Sequence, residues 1–364
     1  MRDEQITARL RLALEQEAAR HELSAGAWPQ IERRLRRQPW RRAAIAAVCS
    51  AFLAAAATAV PYLWHALSSP APRHPHPAAQ LVIAGRTRLS PGITNVVTGY
   101  GGVWVHGPGV IYRVDPATGQ TVTTIPAGGT GVKLGDIAAG AGAVWVTRTG
   151  SHPGVYRVDP RRNRITSFIR LPLVPTGITA AYGQVWVTEP RQGRGIVVRI
   201  DPRAGQVSGT PITVGAAPGP VVAGFGALWI TGGRDTSWLS RINPATGAVT
   251  RILANIDRVD AVGAGSLWVI PARGGIQRVD PVTGQATATI RLRQAAGVTF
   301  WAGSAWASAG PTIVRVDPAS SRILGKPVPA GTTPIYTSAD ANGLWVADFD
   351  TGELLHLAPH PLVK

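Results

Sequence analysis

The side chains that could bind a ligand stand in five short loops, each a few residues after a repeated tryptophan. Arginine and histidine pair with anions, carboxylates accept hydrogen bonds, and a tryptophan outside the repeated position, such as Trp238, can stack on a flat ligand. Each charge alone could equally be a solvated surface group, but together they predict a mixed, net basic rim. The candidates are Arg148, His152, Glu189, Arg191, Arg194, Arg234, Asp235, Trp238, Arg273, Asp348 and Asp350.

Catalysis would need an acid or base held in place, and these loops offer two weak candidates, Glu189 and His152. A hard divalent cation prefers several converging carboxylates, and many of the acidic residues here stand in turns instead. We therefore expect binding without catalysis, and no metal or other cofactor.

The loops belong to a repeat that begins near residue 93. Each copy contains Gly-small-(Val/Leu)-Trp-(Val/Ile), a loop, an Arg-(Val/Ile)-Asp-Pro segment and a β-rich run. A period of about 40 residues with four short strands is typical of one propeller blade. Seven copies predict an all-β, seven-bladed β-propeller. Its repeated tryptophans are Trp104, Trp145, Trp186, Trp229, Trp268, Trp306 and Trp345.

One tryptophan per blade at one position indicates packing between blades rather than a ligand platform. The arginine before each turn also recurs, which favours a blade-to-blade hydrogen bond or a solvated face. In the seventh copy Ala358 and Pro359 stand where the Asp-Pro turn is expected, so the pattern degrades there. The six arginines are Arg113, Arg157, Arg199, Arg241, Arg278 and Arg315.

The segment LVIAGRTRL, residues 81–89, has the alternation of a strand but no hairpin partner nearby. The seventh copy has room for only three strands. Because an unfinished blade would leave an open sheet edge, we expect residues 81–89 to supply its outer strand and close the ring.

Residues 43–63 carry no charge over 21 positions, close to the length that a helix needs to cross a bilayer. The arginine-rich flank RRLRRQPWRR (residues 33–42) should stay in the cytoplasm. We expect one transmembrane helix over residues 43–66, with the propeller outside the cytoplasm. A cleaved signal peptide is the alternative, but about 40 residues before the apolar run are too many.

Residues 1–42 predict a cytoplasmic amphipathic helix, with Ile6, Leu10 and Leu14 on one face. That face could bind a cytoplasmic partner or lie on anionic headgroups. Residues 67–80 read as a Pro-rich linker, and residues 81–364 as the propeller.

The chain has a net charge of +17 and a single cysteine, Cys49, inside the apolar run. One cysteine excludes a disulfide framework. Basic surfaces suit anionic lipid, anionic polymer or nucleic acid alike, and we expect no nucleic-acid partner.

The third copy, GITAAYGQVWVTEPRQGRGIVVRIDPRAGQV (residues 177–207), resembles the repeat of the virginiamycin B lyase, or streptogramin lyase, family of seven-bladed propellers. It is also similar to YVTN-type and surface-layer propellers. The resemblance implies the fold. It would also imply a C–O lyase that opens a cyclic depsipeptide with a His base, acidic residues and a divalent cation, but Glu189 alone keeps the family's Thr-Glu position.

These observations predict a single-pass protein of the cell membrane whose external propeller binds or senses a ligand without chemistry. The ligand could be an anionic polymer, a peptide or a partner protein. One alternative is a lyase-like enzyme acting on a cyclic peptide. The other is a transmembrane sensor that reports through an anti-sigma-like cytoplasmic segment.

Overall fold

The computed structural model describes residues 81–129, 131–191, 193–233 and 237–359. They form 28 strands in seven four-stranded antiparallel sheets, so the predicted seven-bladed propeller is confirmed. The strands are β1 (Leu81–Arg88), β2 (Thr94–Gly99), β3 (Gly102–Gly107), β4 (Val110–Val114), β5 (Thr121–Pro126), β6 (Lys133–Gly140), β7 (Ala143–Thr149), β8 (Gly154–Asp159), β9 (Arg164–Arg170), β10 (Gly177–Ala181), β11 (Gln184–Arg191), β12 (Arg194–Asp201), β13 (Gln206–Val214), β14 (Pro218–Gly224), β15 (Ala227–Gly232), β16 (Trp238–Ile242), β17 (Val249–Ala254), β18 (Ile256–Gly263), β19 (Ser266–Pro271), β20 (Ile276–Val279), β21 (Ala286–Ile290), β22 (Ala295–Trp301), β23 (Ser304–Ala309), β24 (Thr312–Val316), β25 (Ile323–Pro329), β26 (Pro334–Ala339), β27 (Leu344–Asp348) and β28 (Glu353–Pro359).

Blades 1 to 6 each take four consecutive strands, beginning with β2–β5 and ending with β22–β25. Blade 7 has the order β26-β27-β28-β1, which confirms the predicted closure by the N-terminal strand. Leu81 pairs with Pro359 and is 2% exposed. Because β1 pairs there, Ala358 and Pro359 continue strand β28 and do not form a turn.

The repeated tryptophans pack between blades. Trp104 of blade 1 lies in one core cluster with Ile137, Val144 and Val146 of blade 2, and the same arrangement continues around the ring to Trp345, which packs against Val103 of blade 1. Burial of a large aromatic side chain in each gap supplies much of the apolar contact that holds neighbouring blades together.

The Asp-Pro segments form tight turns on the outer hairpins. The Asp115 carboxylate accepts hydrogen bonds from the backbone N–H groups of Ala117 and Thr118, at 2.8 and 2.9 Å, and Gly119 follows at φ 69°. A positive φ is easy for glycine and closes the turn. The hydrogen bonds from Thr118 and Ala117 also lower the pKa of Asp115.

No helix in the part of the chain that the structure describes has the length and apolar character to cross a membrane. The predicted span, the cytoplasmic helix and the linker lie outside the described residues.

Candidate functional site

The innermost strands of the seven blades surround a central channel that holds a cavity of about 550 Å³. Most of its wall is made of valine, isoleucine, alanine and threonine. Besides the threonines, five polar side chains line the cavity, and none of them is among the loop candidates predicted from the sequence. They are Asn95 on β2, Asp136 on β6, Arg258 and Asp260 on β18, and Tyr336 on β26.

Irregular pairing aims these side chains at the cavity. In six of the seven blades the register between the two innermost strands shifts near the start of the inner strand. The shifts fall at or beside Asn95, Asp136 and Asp260. A β-bulge turns one residue out of the regular alternation and is common next to binding sites. The bulges therefore place polar groups in a wall that the repeat would otherwise keep apolar.

Asp136 is held by backbone donors from two blades. Its Oδ1 accepts from the backbone N–H of Ile137 at 2.8 Å, and its Oδ2 from that of Ile178 in blade 3 at 3.1 Å. Burial raises the pKa of Asp136 to about 6, against the opposing effect of these hydrogen bonds and of Arg258. No ion pair to Asp136 forms among the described residues.

Blade 1 fixes the backbone beside Asp136. The carbonyl of Gly135 accepts hydrogen bonds from Asn95 Nδ2 at 2.7 Å and His106 Nε2 at 2.9 Å. Within blade 2, the backbone N–H of Asp136 donates to Thr147 Oγ1 at 2.6 Å. His106 is 1% exposed, and burial lowers its pKa to about 4, so the ring is neutral near pH 7 and serves as a donor.

Arg258 and Asp260 form an ion pair on β18, with Arg258 Nε 2.5 Å from Asp260 Oδ1. The Nε hydrogen does not point along that contact, and the hydrogen bond runs from Nη2 to Oδ2 at 3.3 Å. Burial raises the pKa of Asp260 to about 6, while Arg258 and the backbone N–H of Val298 act to lower it.

Tyr336 completes the group from blade 7. Burial raises the pKa of its hydroxyl, as do the nearby Asp136 and Asp260, whereas Arg258 acts to lower it. Between blades 5 and 7, the innermost strand β22 carries a glycine at position 297. A Cβ added to Gly297 would lie 2.6 Å from the carbonyl oxygen of Ile335 and 3.7 Å from Arg258 Nη2. The glycine therefore permits the close approach of the Ile335 carbonyl, whereas the guanidinium lies at ordinary contact distance.

Glu189, the strongest acidic candidate from the sequence, does not reach this cavity. It lies on β11, is 0% exposed, and neither carboxylate oxygen has a hydrogen bond of good geometry among the described residues. Burial raises its pKa to about 7, and the backbone N–H of Leu173 offsets only part of that rise. His152 is exposed on its loop and contacts Ser151 at 3.1 Å. The structure therefore does not combine Glu189 and His152 into an acid–base pair.

Two further loop candidates are engaged within their own blades. Arg148 donates to Tyr156 Oη at 3.1 Å and lies over the ring of Phe168. Asp348 is 1% exposed and accepts hydrogen bonds from Thr332, including one from its backbone N–H at 2.6 Å. Burial acts to raise the pKa of Asp348, but the hydrogen bonds outweigh it and hold the pKa below its usual value. Through these hydrogen bonds, both side chains stabilise the loops next to them.

Trp238 is 3% exposed, lies against the guanidinium of Arg251, and fills the space above Gly215 and Gly232. A ligand would have to displace these contacts in order to stack on it. The remaining described candidates are exposed, with Arg191 and Arg194 paired in one hairpin, and Arg234 and Asp235 lie outside the described residues. The exposed ones are Arg191, Arg194, Arg273 and Asp350.

The repeated arginines are structural. Each lies opposite the tryptophan of its blade, as Arg113 does at 5.2 Å from the ring of Trp104. Arg113 also donates to Pro160 O and Asn163 Oδ1 of blade 2, at 2.9 and 2.7 Å. In blade 7 a histidine takes this position, and its ring stacks on that of Trp345 at 4.3 Å.

Sequence reasoning missed the channel group because it searched the loops. A usable signal was present: charged residues interrupt the inner-strand segments GDIAAG (residues 135–140) and RVDAVG (residues 258–263), which are otherwise small and apolar. A charge in a strand expected to be buried is a better indicator of a site than a charge in a solvated loop.

No cluster of three His, Cys, Asp or Glu side chains that could hold a metal ion occurs within the described ranges.

No protein-family model matches the sequence, and no curated protein is significantly similar to it. Solved structures match the fold. Hydrazine synthase of Kuenenia stuttgartiensis is 12% identical, with a TM-score of 0.59 over 75% of this chain and 96% of that chain. The extracellular domain of the putative one-component system BT4673 from B. thetaiotaomicron is 15% identical, with a TM-score of 0.58 over 78% of this chain and 42% of that chain. The computationally designed Ika8 protein is 10% identical, with a TM-score of 0.56 over 74% and 97%. At these identities the likeness shows the fold alone.

Proposed function

We propose that this chain is a membrane-anchored binding module whose propeller lies outside the cytoplasm and takes up a small polar ligand in its central channel, without chemistry. One observation carries the binding part: Asp136, Arg258, Asp260 and Tyr336 from three different blades surround a single cavity of about 550 Å³. Cavities of this size with a few convergent polar groups are typical of small-molecule sites.

The state of the loop candidates favours the channel as the binding site. Arg148, Asp348 and Trp238 already contact other side chains or backbone groups of the protein and are not free to bind a ligand. The separation of Glu189 from His152 supports binding over lyase chemistry. We infer from the repeat at residues 177–207 that the propeller belongs with the streptogramin-lyase-like and YVTN-type repeats, with the lyase machinery absent.

The binding experiment uses the purified full chain and a panel of small amines, carboxylic acids, alcohols and monosaccharides, followed by thermal shift and calorimetry. We expect at least one class to bind the native chain and to bind more weakly to Asp136→Asn and Tyr336→Phe. Glu353→Gln is the matched control, because it alters an ion pair with Arg86 outside the cavity. If no compound binds, or if the channel variants bind as the native chain does, this function is wrong.

The anchoring part is supported by the uncharged residues 43–63 and the arginine-rich residues 33–42 before them. Protease treatment of intact spheroplasts should digest the propeller and spare a fragment containing residues 1–42. Release of the whole chain by alkaline carbonate, or protection of the propeller, would contradict this part.

Sensing is the second candidate, because the propeller resembles in fold the extracellular domain of a putative one-component system. Residues 1–42 would then report the ligand state to a cytoplasmic partner. Hydrogen exchange of the full chain in lipid nanodiscs tests this: a channel ligand should change protection within residues 1–42, and unchanged protection would leave binding without signalling.

A further inference from the structure

We propose that the channel selects a small organic cation, such as a primary ammonium ion, through the carboxylate of Asp136. This inference rests on the proposed function and adds the chemical class of its ligand. It follows from the charges that face the cavity rather than from any loop.

The polar group in the cavity is not electrically balanced. Asp136 and Asp260 are acidic, and Arg258 is the one cationic side chain that lines the cavity in the described part of the chain. Arg258 lies 2.5 Å from Asp260 and is therefore largely neutralised by it. Asp136 receives only backbone N–H groups, from Ile137 and Ile178.

A carboxylate that has lost much of its water and gained no cation is destabilised in its charged form. Burial does this to Asp136, and its pKa rises to about 6. A ligand cation beside Asp136 would supply the missing countercharge. An anion would instead have to approach two carboxylates and compete with Asp260 for Arg258.

The rest of the wall suits a molecule with one charged end. Val97, Ala139 and Val222 offer apolar surface for a hydrocarbon portion. Tyr336 and the ion pair offer hydrogen-bonding groups for any polar atom at the other end. The cavity volume of about 550 Å³ is in the range of small-molecule sites.

Three probes of equal length test the charge: n-butylamine, 1-butanol and butyrate, titrated into the full chain by calorimetry. At pH 7.5 we expect butylammonium to bind at least about tenfold more tightly than either of the others. Its affinity should fall about tenfold between pH 8 and pH 5, because protonation of Asp136 removes the countercharge. Equal or tighter binding of butanol or butyrate would overturn the inference.

Two substitutions in the same cavity should act in opposite directions. Asp136→Asn should weaken butylammonium binding by about tenfold or more, whereas Arg258→Gln should strengthen it, because it leaves Asp260 without its cation. Mere disruption of the channel would weaken binding in both. Thermal melting checks that each variant is folded. If Arg258→Gln does not fold, Arg258→Lys replaces it. Because lysine keeps the positive charge, Arg258→Lys should leave the affinity near the native value. Weaker binding in folded Arg258→Gln, or an affinity of Arg258→Lys that differs from the native value, contradicts the inference.

The outcomes also separate this inference from the proposed function. Binding of butanol or butyrate that depends on Tyr336 would overturn cation selectivity and leave the proposed function intact. If no compound of the panel binds in the channel, both are wrong.

Discussion

Arg258 lies 2.5 Å from Asp260 on the innermost strand of blade 5, and the same guanidinium influences Asp136 on blade 2. The guanidinium is therefore paired with one carboxylate and acts on the other only at longer range. Loss of the positive charge at Arg258 should therefore change the titration of both carboxylates.

Replacement of Arg258 by glutamine should raise the pKa of Asp260 above its native value of about 6 and should raise that of Asp136 by less. The reason is that a nearby positive charge favours the ionised carboxylate, and the effect falls with distance. Carboxyl carbon NMR titration of both residues measures the two shifts. An unchanged or lower pKa for Asp260 would contradict the ion pair.

Glu189→Gln should make stability less sensitive to pH. The folded-state pKa of Glu189 is raised from 4.5 to about 7, so the folded chain binds more protons than the unfolded chain between these values. Stability from this residue is complete below pH 4.5 and is lost as pH rises through 7. Relative to the native chain, the free energy of unfolding of the variant should rise by up to about 2 kcal/mol between pH 5 and pH 8.

Urea unfolding at several pH values measures that gain, and the comparison removes any constant cost of burying the new amide. Glu353→Gln serves as the control, because its carboxylate pairs with Arg86 near the surface. A difference between Glu189→Gln and the native chain that is the same at pH 5 and pH 8 would show that Glu189 is not desolvated.

Leu81→Ala should destabilise the whole ring by about 2–4 kcal/mol, because Leu81 is buried with Leu344 of β27 and Leu357 of β28 in one core cluster. Deletion of residues 81–88 should be more severe, since it exposes the edge of β28. Arg88→Ala, at an exposed position of the same strand, is the control. Melting of the Leu81 variant at the native temperature would mean that β1 is not part of the cooperative unit.

Arg113→Met should cost about 1 kcal/mol more than Arg157→Met. Both arginines lie over the tryptophan of their blade, but only Arg113 also donates to the next blade, at Pro160 and Asn163. The Arg157 guanidinium instead donates to Thr166 of its own blade. Denaturant unfolding of the two variants measures the difference, and equal losses would show that the inter-blade hydrogen bonds contribute nothing.

The sequence by itself determined the period, the number of blades, the inter-blade place of Trp104 and its counterparts, and the closing strand, predicted at residues 81–89 and observed at Leu81–Arg88. These features depend on contacts within one repeat or between adjacent repeats, and such contacts leave a regular pattern in the chain. The predicted anchor at residues 43–63 stays a prediction, since it lies outside the described residues.

Only the tertiary structure decided where the polar groups meet. Asp136 and Arg258 are far apart in sequence, and they face one cavity because closure of the ring brings their strands together and because local bulges turn their side chains inward. Only the tertiary structure shows that Glu189 is buried, because the sequence does not distinguish a charged residue in an exposed loop from one in a buried strand. Periodicity reports the contacts that every blade repeats, whereas the site consists of the positions at which single blades depart from the repeat.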